Sequence, residues 1–136
     1  MKELSFLKNM SLRREEKENL ISAIETLETF CREADPDREL DRAGTIQGFE
    51  FTFELLWKTL KKAAEREGGS FTPSPKGTLK VAFQYQWIED ESVWIAMLAD
   101  RNLTSHTYRK DVSIQIFENI QKSYLSRFLS FKKSLS

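Results

Sequence analysis

The chain has 136 residues, in which 21 Lys and Arg side chains balance 21 Asp and Glu side chains, so its formal net charge is zero. This length predicts a single domain over residues 1–136 with one hydrophobic core. The balanced charge excludes an overall electrostatic attraction to nucleic acid or to an anionic membrane. Any contact with RNA must therefore be local, or must form where two chains meet.

The scarcity of cysteine and histidine limits the chemistry further. Cys31 and His106 are each the only residue of their type, which excludes an internal disulfide and a Cys/His zinc site within one chain. No apolar run approaches the roughly 18 residues that a membrane span needs, and residues 1–6 lack a signal-peptide core. We therefore expect a cytoplasmic protein that uses no metal and no cofactor.

Two amphipathic patterns fill the first half of the chain. The first predicts a helix over about residues 12–34, which is followed by the helix-breaking sequence at 35–37. The second pattern is the strongest in the chain and predicts a central helix that stops at Gly68-Gly69. The apolar positions are Leu20, Ile24, Leu27 and Cys31 in the first helix, and Ile46, Phe49, Phe53, Leu56, Trp57, Leu60, Ala63 and Ala64 in the second.

Residues 78–87 fit two secondary structures. Leu79, Val81, Phe83, Tyr85 and Trp87 alternate as in a strand, whereas Leu79, Ala82, Phe83 and Gln86 suit a helix. We favour a helix that Ser74 caps and Pro75 begins, because no other segment alternates for long enough to pair with a strand. Trp87, near the turn that follows, is a candidate for a dimer or partner surface.

Two further helices complete the prediction. Asp90 can cap a fourth helix, with Trp94, Ile95 and Leu98 on its apolar face. The last stripe predicts a fifth helix over about residues 112–133 through Ile116, Phe117, Ile120, Tyr124, Phe128 and Phe131. The sum is an all-α fold, an up-and-down bundle of four to five helices.

The segment from Asp100 to Tyr108 holds most of the functional information. Histidine is the side chain that exchanges protons most readily near neutral pH, and His106 follows Arg101 by five positions. Cleavage of RNA without a metal needs proton transfer from a ribose 2′-hydroxyl, proton transfer to the leaving 5′-oxygen, and positive charge at the phosphorane. Arg101 and His106 are the right residue types for these roles.

The order of these segments resembles the HEPN superfamily, and within it the nucleotidyltransferase substrate-binding proteins. The likeness spans most of the chain. It lies in the segments Gln47 to Lys61, Ser74-Pro75, Trp94 to Leu98, Asp100-Arg101-Asn102 and His106-Thr107-Tyr108.

The resemblance implies a helical bundle that forms a homodimer and pairs with a minimal nucleotidyltransferase (MNT). In such pairs the HEPN member is commonly a toxin and a metal-independent ribonuclease, and the MNT member is its antitoxin. Some of these antitoxins attach AMP to the tyrosine of an R-x-x-x-x-H-x-Y motif, which here would be Tyr108.

Helix geometry complicates a site built from Arg101 and His106. Residues five apart on a regular helix point about 140° away from each other, so the helix must end or bend near residues 103–105, or Arg101 must reach around it. One chain also offers one histidine, whereas acid and base roles are most simply filled by two. A two-fold homodimer would supply both, and we therefore predict a composite site across a dimer axis. The surface around the motif and the first and last helices, with Phe6 and Phe131, are candidate interfaces.

The neighbouring polar residues have structural and functional interpretations. Arg101 could pair with Asp100, with Glu54 or with a helix end, and Asn102 could cap a helix or orient the histidine or a phosphate. Glu50, Glu54 and Lys58 could form ion pairs along one helix face, or Glu54 could project toward Arg101 or His106 as a supporting residue. These assignments predict Arg101 and His106 as catalytic residues, with Asn102, Asp100 and Glu54 in support.

Two classes of function follow. The chain is a ribonuclease toxin that its partner silences, or it is a non-catalytic subunit that presents a substrate or a tyrosine to a nucleotidyltransferase. The neutral charge favours the second class, and the near-complete motif favours the first.

Overall fold

A computed structural model describes residues 10–135, and the regular structure in this range is entirely helical. The helices are α1 (Arg14–Glu33), α2 (Glu39–Arg66), α3 (Pro75–Gln84), α4 (Glu91–Leu103), α5 (Lys110–Asn119) and α6 (Leu125–Ser134). A 3-10 turn, Thr104–His106, follows α4, and a π-helical turn, Ile120–Tyr124, joins α5 to α6 in one long helix. The predicted all-α bundle is confirmed, as is the helical interpretation of the segment after Pro75.

The core is built from the predicted apolar stripes. Every apolar position predicted for the first two helices and for the last helix is buried. The aromatic rings of Phe49 in α2 and Tyr124 in the π turn stack with centroids 5.4 Å apart, and Trp94 of α4 meets Phe128 of α6 edge-on at 5.7 Å. These contacts fix α4, which leads into the motif, against the centre of the bundle.

The predicted ends of α2 and α3 agree with the structure. Gly68 has φ +78°, a left-handed conformation that favours glycine and stops α2. Ser74 Oγ accepts a hydrogen bond from the backbone N–H of Gly77 at 3.0 Å, and Pro75 takes the first position of α3. The chain therefore turns sharply between the central helix and α3.

Three predictions around α3 and α4 were wrong in detail. Phe83 is 41% exposed, and Val81 takes its place in the core. Trp87 is 4% exposed and packs against Tyr85, with centroids 4.7 Å apart, so it belongs to the core and not to a partner surface. Asp90 does precede α4, but its backbone is left-handed and its side chain binds Arg127 of α6 instead of capping the helix.

The last helix differs from its prediction by the π turn. Ile120 and Tyr124 remain buried in this turn, which changes the helix register between α5 and α6. Phe131 is only 4% exposed, which removes it as a dimer-surface candidate. Phe6 lies outside the described residues, as does the segment tested for a signal peptide. No helix within residues 10–135 is long and apolar enough to cross a membrane.

The single cysteine lies in the interior. Cys31 is 6% exposed on the core face of α1. Burial, reinforced by the nearby negative charge of Glu28, raises the pKa of the Cys31 thiol to about 11. The thiol is therefore protonated at neutral pH and weakly nucleophilic.

An ion pair ties the start of α1 to the end of α2. Arg66 donates from Nη2 to Glu16 Oε2 at 2.7 Å and from Nη1 to the Ser11 carbonyl at 2.7 Å. Glu16 Oε1 also accepts from the backbone N–H of Arg13 at 3.0 Å. Hydrogen bonding from Arg66 outweighs the effect of burial and lowers the pKa of Glu16 from 4.5 to about 2.

This pair predicts a loss of stability in acid. Because the folded-state pKa of Glu16 is depressed, its contribution is fully present above about pH 4.5 and is lost as the pH falls toward 2. After allowance for solvent screening, we expect Glu16→Gln to lower the free energy of unfolding at pH 7 by about 1–2 kcal/mol. Urea unfolding from pH 2 to 7 should show a smaller decline in the variant; parallel curves would contradict the prediction. The exposed Glu18→Gln is the matched control.

Candidate active site

The motif occupies the end of α4 and the turn that follows it. α4 ends at Leu103, and the 3-10 turn Thr104–His106 changes the direction of the chain. Thr104 and Thr107 satisfy backbone groups here, since Thr104 Oγ1 donates to the Arg101 carbonyl at 2.7 Å and Thr107 Oγ1 donates to the Thr104 carbonyl at 3.0 Å. The helix thus ends within the segment where the sequence required a break, so Arg101 and His106 do not lie on one regular helix.

Arg101 is held against α2 by Glu54. Its Nη2 lies 2.5 Å from Glu54 Oε2, and both side chains are about 30% exposed, at 28% and 31%. Trp57 Nε1 donates to the same carboxylate oxygen at 3.0 Å, and Lys58 Nζ lies 3.9 Å from the other oxygen. Burial raises the pKa of the Glu54 carboxyl, but hydrogen bonds from Arg101 and Trp57 outweigh that effect and leave the pKa below its usual value. Glu54 is therefore ionised at neutral pH and fixes the guanidinium.

A second contact fastens the turn to the same helix. Thr104 Oγ1 lies 2.7 Å from Glu50 Oε2 and donates to it. Glu50 and Glu54 are one turn apart on α2, so a pair of carboxylates holds the last residue positions of α4 and the start of the 3-10 turn. The sequence analysis proposed Glu54 as a supporting residue and missed the contact of Glu50, although the four-residue spacing of the two glutamates was its signal.

Arg101 retains free donors after these contacts. Nη1 donates to Asn102 Oδ1 at 3.1 Å, so Asn102 orients the guanidinium within the chain. Of the five N–H donors of an arginine, the contacts found among the described residues use those to Glu54 and Asn102. The remaining donors can meet a phosphate oxygen from the solvent side.

His106 and Tyr108 are both exposed. Tyr108 is 78% exposed, and its hydroxyl lies 3.5 Å from His106 Nδ1, at the limit of a hydrogen bond. Their rings meet edge-on with centroids 6.0 Å apart. Both functional atoms of this pair are therefore open to solvent and to a partner molecule, and Nε2 of the imidazole is left free to exchange a proton.

Asp100 faces away from Arg101. Its Oδ2 accepts from the Tyr124 hydroxyl at 2.6 Å and from Asn119 Nδ2 at 2.8 Å. Burial together with this hydrogen bond to Asp100 raises the pKa of the Tyr124 phenol well above its usual range. Of the two carboxylates considered as partners of Arg101, Glu54 is the partner, and Asp100 fastens α4 to the π turn.

The two candidate catalytic side chains do not touch within one chain. No hydrogen bond joins Arg101 to His106 among residues 10–135, since each has its own partner. The same part of the chain contains no group of three His, Cys, Asp or Glu side chains that could hold a metal ion. A single chain therefore presents an anchored arginine and, beside it, an exposed imidazole–phenol pair.

The sequence profile of one family, described as nucleotidyltransferase substrate binding protein like, matches residues 15–136. The chain belongs to this family, a branch of the HEPN superfamily. The match includes the whole motif and the α2 segment with Glu50 and Glu54. The resemblance drawn from the sequence is thereby confirmed.

Two individual proteins are similar to this HEPN chain. One is a probable ribonuclease HepT from Haemophilus influenzae, 33% identical over 84 residues, which cover 57% of this chain and 56% of the relative. The chain thus matches little more than half of that relative. The other is a protein from Thermus thermophilus, known from its crystal structure, with a TM-score of 0.68 and 30% identity over 85% of this chain and 94% of that one. The similarity of fold therefore extends over most of the bundle.

Proposed function

We propose that this HEPN protein is a metal-independent endoribonuclease, the toxin of a HEPN/MNT toxin–antitoxin pair, with Arg101 and His106 as its catalytic residues. The observation that carries the proposal is the geometry of the motif. A 3-10 turn presents His106 to solvent beside an arginine that Glu54 holds in place. The similarity to a probable ribonuclease HepT supports the same activity.

The chemistry needs only the groups that the motif carries. A neutral imidazole takes the proton from the ribose 2′-hydroxyl, whose oxygen attacks the adjacent phosphorus. The bond from phosphorus to the 5′-oxygen breaks, and that oxygen receives a proton from an imidazolium. Arg101 stabilises the extra negative charge of the phosphorane. The products are a 2′,3′-cyclic phosphate and a free 5′-hydroxyl.

A homodimer completes this site. One chain holds one histidine, while the two proton transfers occur on opposite sides of the phosphorus. Two motifs facing each other across a two-fold axis would bring two imidazoles and two guanidinium groups to one phosphate. The exposure of His106 and Tyr108 leaves their surface available for such pairing.

Cleavage in the presence of EDTA tests the proposal. Purified protein incubated with single-stranded RNA should produce fragments with 2′,3′-cyclic phosphate ends, and Arg101→Ala should reduce the rate roughly 100- to 1,000-fold, the usual effect of losing one anion-stabilising donor. Arg14→Ala, which removes an arginine whose side chain is 93% exposed, is the matched control. Equal rates for both variants would reject the assignment of Arg101.

Tyr108 is the proposed point of control. Its hydroxyl is exposed, so an MNT partner can approach it. In the proposed reaction the phenol oxygen attacks the α-phosphorus of ATP, pyrophosphate leaves, and the phenol proton passes to solvent. The bound AMP places an anionic phosphodiester two residues from His106, where it repels the RNA backbone.

Tyr108→Phe separates modification from catalysis. The variant should accept no AMP when it is incubated with ATP and the nucleotidyltransferase encoded beside it, because the attacking oxygen is gone. Cleavage by the unmodified variant should stay within about threefold of wild type, since a contact of 3.5 Å to His106 Nδ1 is a weak hydrogen bond. Intact-mass spectrometry reads the modification. AMP on the variant would place the acceptor elsewhere.

The alternative function is a non-catalytic, substrate-binding subunit of a nucleotidyltransferase. The strong exposure of Tyr108 and the pairing of Arg101 with Glu54 favour it, because a tyrosine presented to an enzyme needs no free arginine. Under this alternative, cleavage in EDTA is absent, and transfer of AMP to Tyr108 still occurs.

A further inference from the structure

A polar pocket opens between the start of α2 and the face of α5 next to the motif. It has a volume of about 640 Å³, and its lining includes Arg42, Lys110, Phe117 and Lys122. Neither the motif nor the proposed mechanism uses these residues. The pocket is therefore a feature separate from the proton-transfer site.

Arg42 is the unusual residue of this pocket. It is 4% exposed, yet no carboxylate among residues 10–135 lies within ion-pair distance of it. Its contacts are neutral, since Nη1 donates to the Pro36 carbonyl at 2.9 Å and Nε donates to Ser113 Oγ at 3.4 Å. A buried guanidinium without a counter-charge is costly, and proteins ordinarily place an anion against it.

The free end of Arg42 reaches the pocket. Nη2 has no hydrogen-bond partner among the described residues, yet it is not sealed off, because Thr78 Oγ1 is the only enclosed side-chain polar atom without a partner in that range. Arg42 itself lines the pocket wall. Nη2 and the free hydrogen of Nη1 therefore offer a planar fork that matches two oxygens of a phosphate.

The charges around the opening also favour an anion. Lys110 and Lys122 line it together with Asp37 and Glu118, and none of these four side chains forms an ion pair within residues 10–135. With Arg42 the lining has three positive and two negative groups. The buried group is positive, and both carboxylates are exposed, where water screens them.

The pocket lies on the path of a strand that crosses the motif. Arg42 contacts Ser113 of α5, and Glu50 contacts Thr104 of the 3-10 turn. These two levels of α2 are eight residues apart, or roughly 12 Å of helix. Lys110 follows Tyr108 by two residues. An extended strand with one phosphate at His106 can thus place another phosphate in the pocket.

We propose that the Arg42 pocket is a second phosphate subsite, which binds the backbone of single-stranded RNA a few nucleotides from the cleaved bond. Arg42 supplies the buried forked donor, and Lys110 and Lys122 supply the outer charges. This inference rests on the proposed function, since it takes RNA as the ligand. It also explains how a chain with no net charge holds an RNA strand, because the favourable charge is local.

Binding of 2′-O-methyl RNA tests the subsite without cleavage, because this oligonucleotide lacks the attacking hydroxyl. Fluorescence anisotropy should show that Arg42→Met and Lys110→Ala/Lys122→Ala each weaken binding roughly tenfold, with a smaller dependence on salt by about 0.7 per lost phosphate contact. The exposed pair Lys76→Ala/Lys80→Ala on α3 makes the same charge change away from the pocket. It should bind as wild type does.

The outcomes separate the subsite from the ribonuclease. The lysine double variant keeps the test decisive if Arg42→Met fails to fold, because both lysines are exposed. Equal affinity in the pocket and control variants overturns the subsite, as does a wild type that does not bind, whatever its activity in EDTA. Displacement by AMP as efficient as by the oligonucleotide also overturns it, in favour of a mononucleotide. Pocket-dependent binding without cleavage keeps the subsite and rejects the ribonuclease.

Discussion

His106→Ala should lower metal-independent RNA cleavage roughly ten-thousandfold or more. Each proton transfer that a histidine performs contributes about a hundred- to ten-thousandfold, and in a homodimer the substitution removes the acid and the base together. The fold should not change, because the imidazole is exposed and its one contact, with Tyr108, lies at 3.5 Å. The measurement is the initial rate on a labelled RNA in EDTA, with circular dichroism to confirm the helix content.

Ser105→Ala is the matched control for this variant. Ser105 is the exposed neighbour of His106 in the same 3-10 turn, so its replacement perturbs the backbone equally without touching the imidazole. Mixing wild type with an excess of His106→Ala should suppress the rate by more than dilution, because mixed dimers retain one histidine. A rate that falls only in proportion to dilution would argue for a complete site in each chain, and an unchanged rate in the variant would remove His106 from the mechanism.

Trp94→Ala should destabilise the bundle by about 3–5 kcal/mol, the usual cost of removing a large buried aromatic side chain. Trp94 is 1% exposed and packs edge-on against Phe128 at 5.7 Å and Phe131 at 6.4 Å. Domains of this size have free energies of unfolding of about 5–15 kcal/mol, so the loss is a large fraction of the total. Urea denaturation of purified protein measures it.

Phe51→Ala provides the comparison, because Phe51 is 64% exposed on α2. Its replacement should change the free energy of unfolding by less than about 0.5 kcal/mol. α4 leads directly into the motif, so Trp94→Ala should also reduce cleavage at temperatures where the variant is still folded. A loss of stability below about 1 kcal/mol would mean that the cavity collapses or that α4 contributes little to the core.

The helices could be predicted because their buried faces recur at the helical period. Leu20 to Cys31, Ile46 to Ala64 and Ile116 to Phe131 are all stripes that the core requires, and the structure buries each of them. The capping of α3 by Ser74 and the stop at Gly68 follow from local chemistry in the same way. The break before His106 was also predictable, since a continuous helix could not serve the motif.

Contacts between distant segments could not be predicted. The sequence offered Asp100 and Glu54 equally to Arg101, and only packing decides that α2 presents Glu54 while Asp100 meets Tyr124. Trp87 was misplaced because the sequence does not show that the turn after α3 folds back over the core. The buried Arg42 went unnoticed for a similar reason, because a charged residue at the start of a helix ordinarily faces water.

The arrangement of two-fold related motifs stays a prediction, and the interior position of Cys31 provides a means to examine it. A thiol that is almost fully buried and protonated at neutral pH reacts slowly with maleimide or methanethiosulfonate reagents. A cysteine introduced at exposed Ser105 would therefore be labelled selectively without first replacing the native one. Spin labels at that position would report, by dipolar spectroscopy, how far apart the two turns lie in solution.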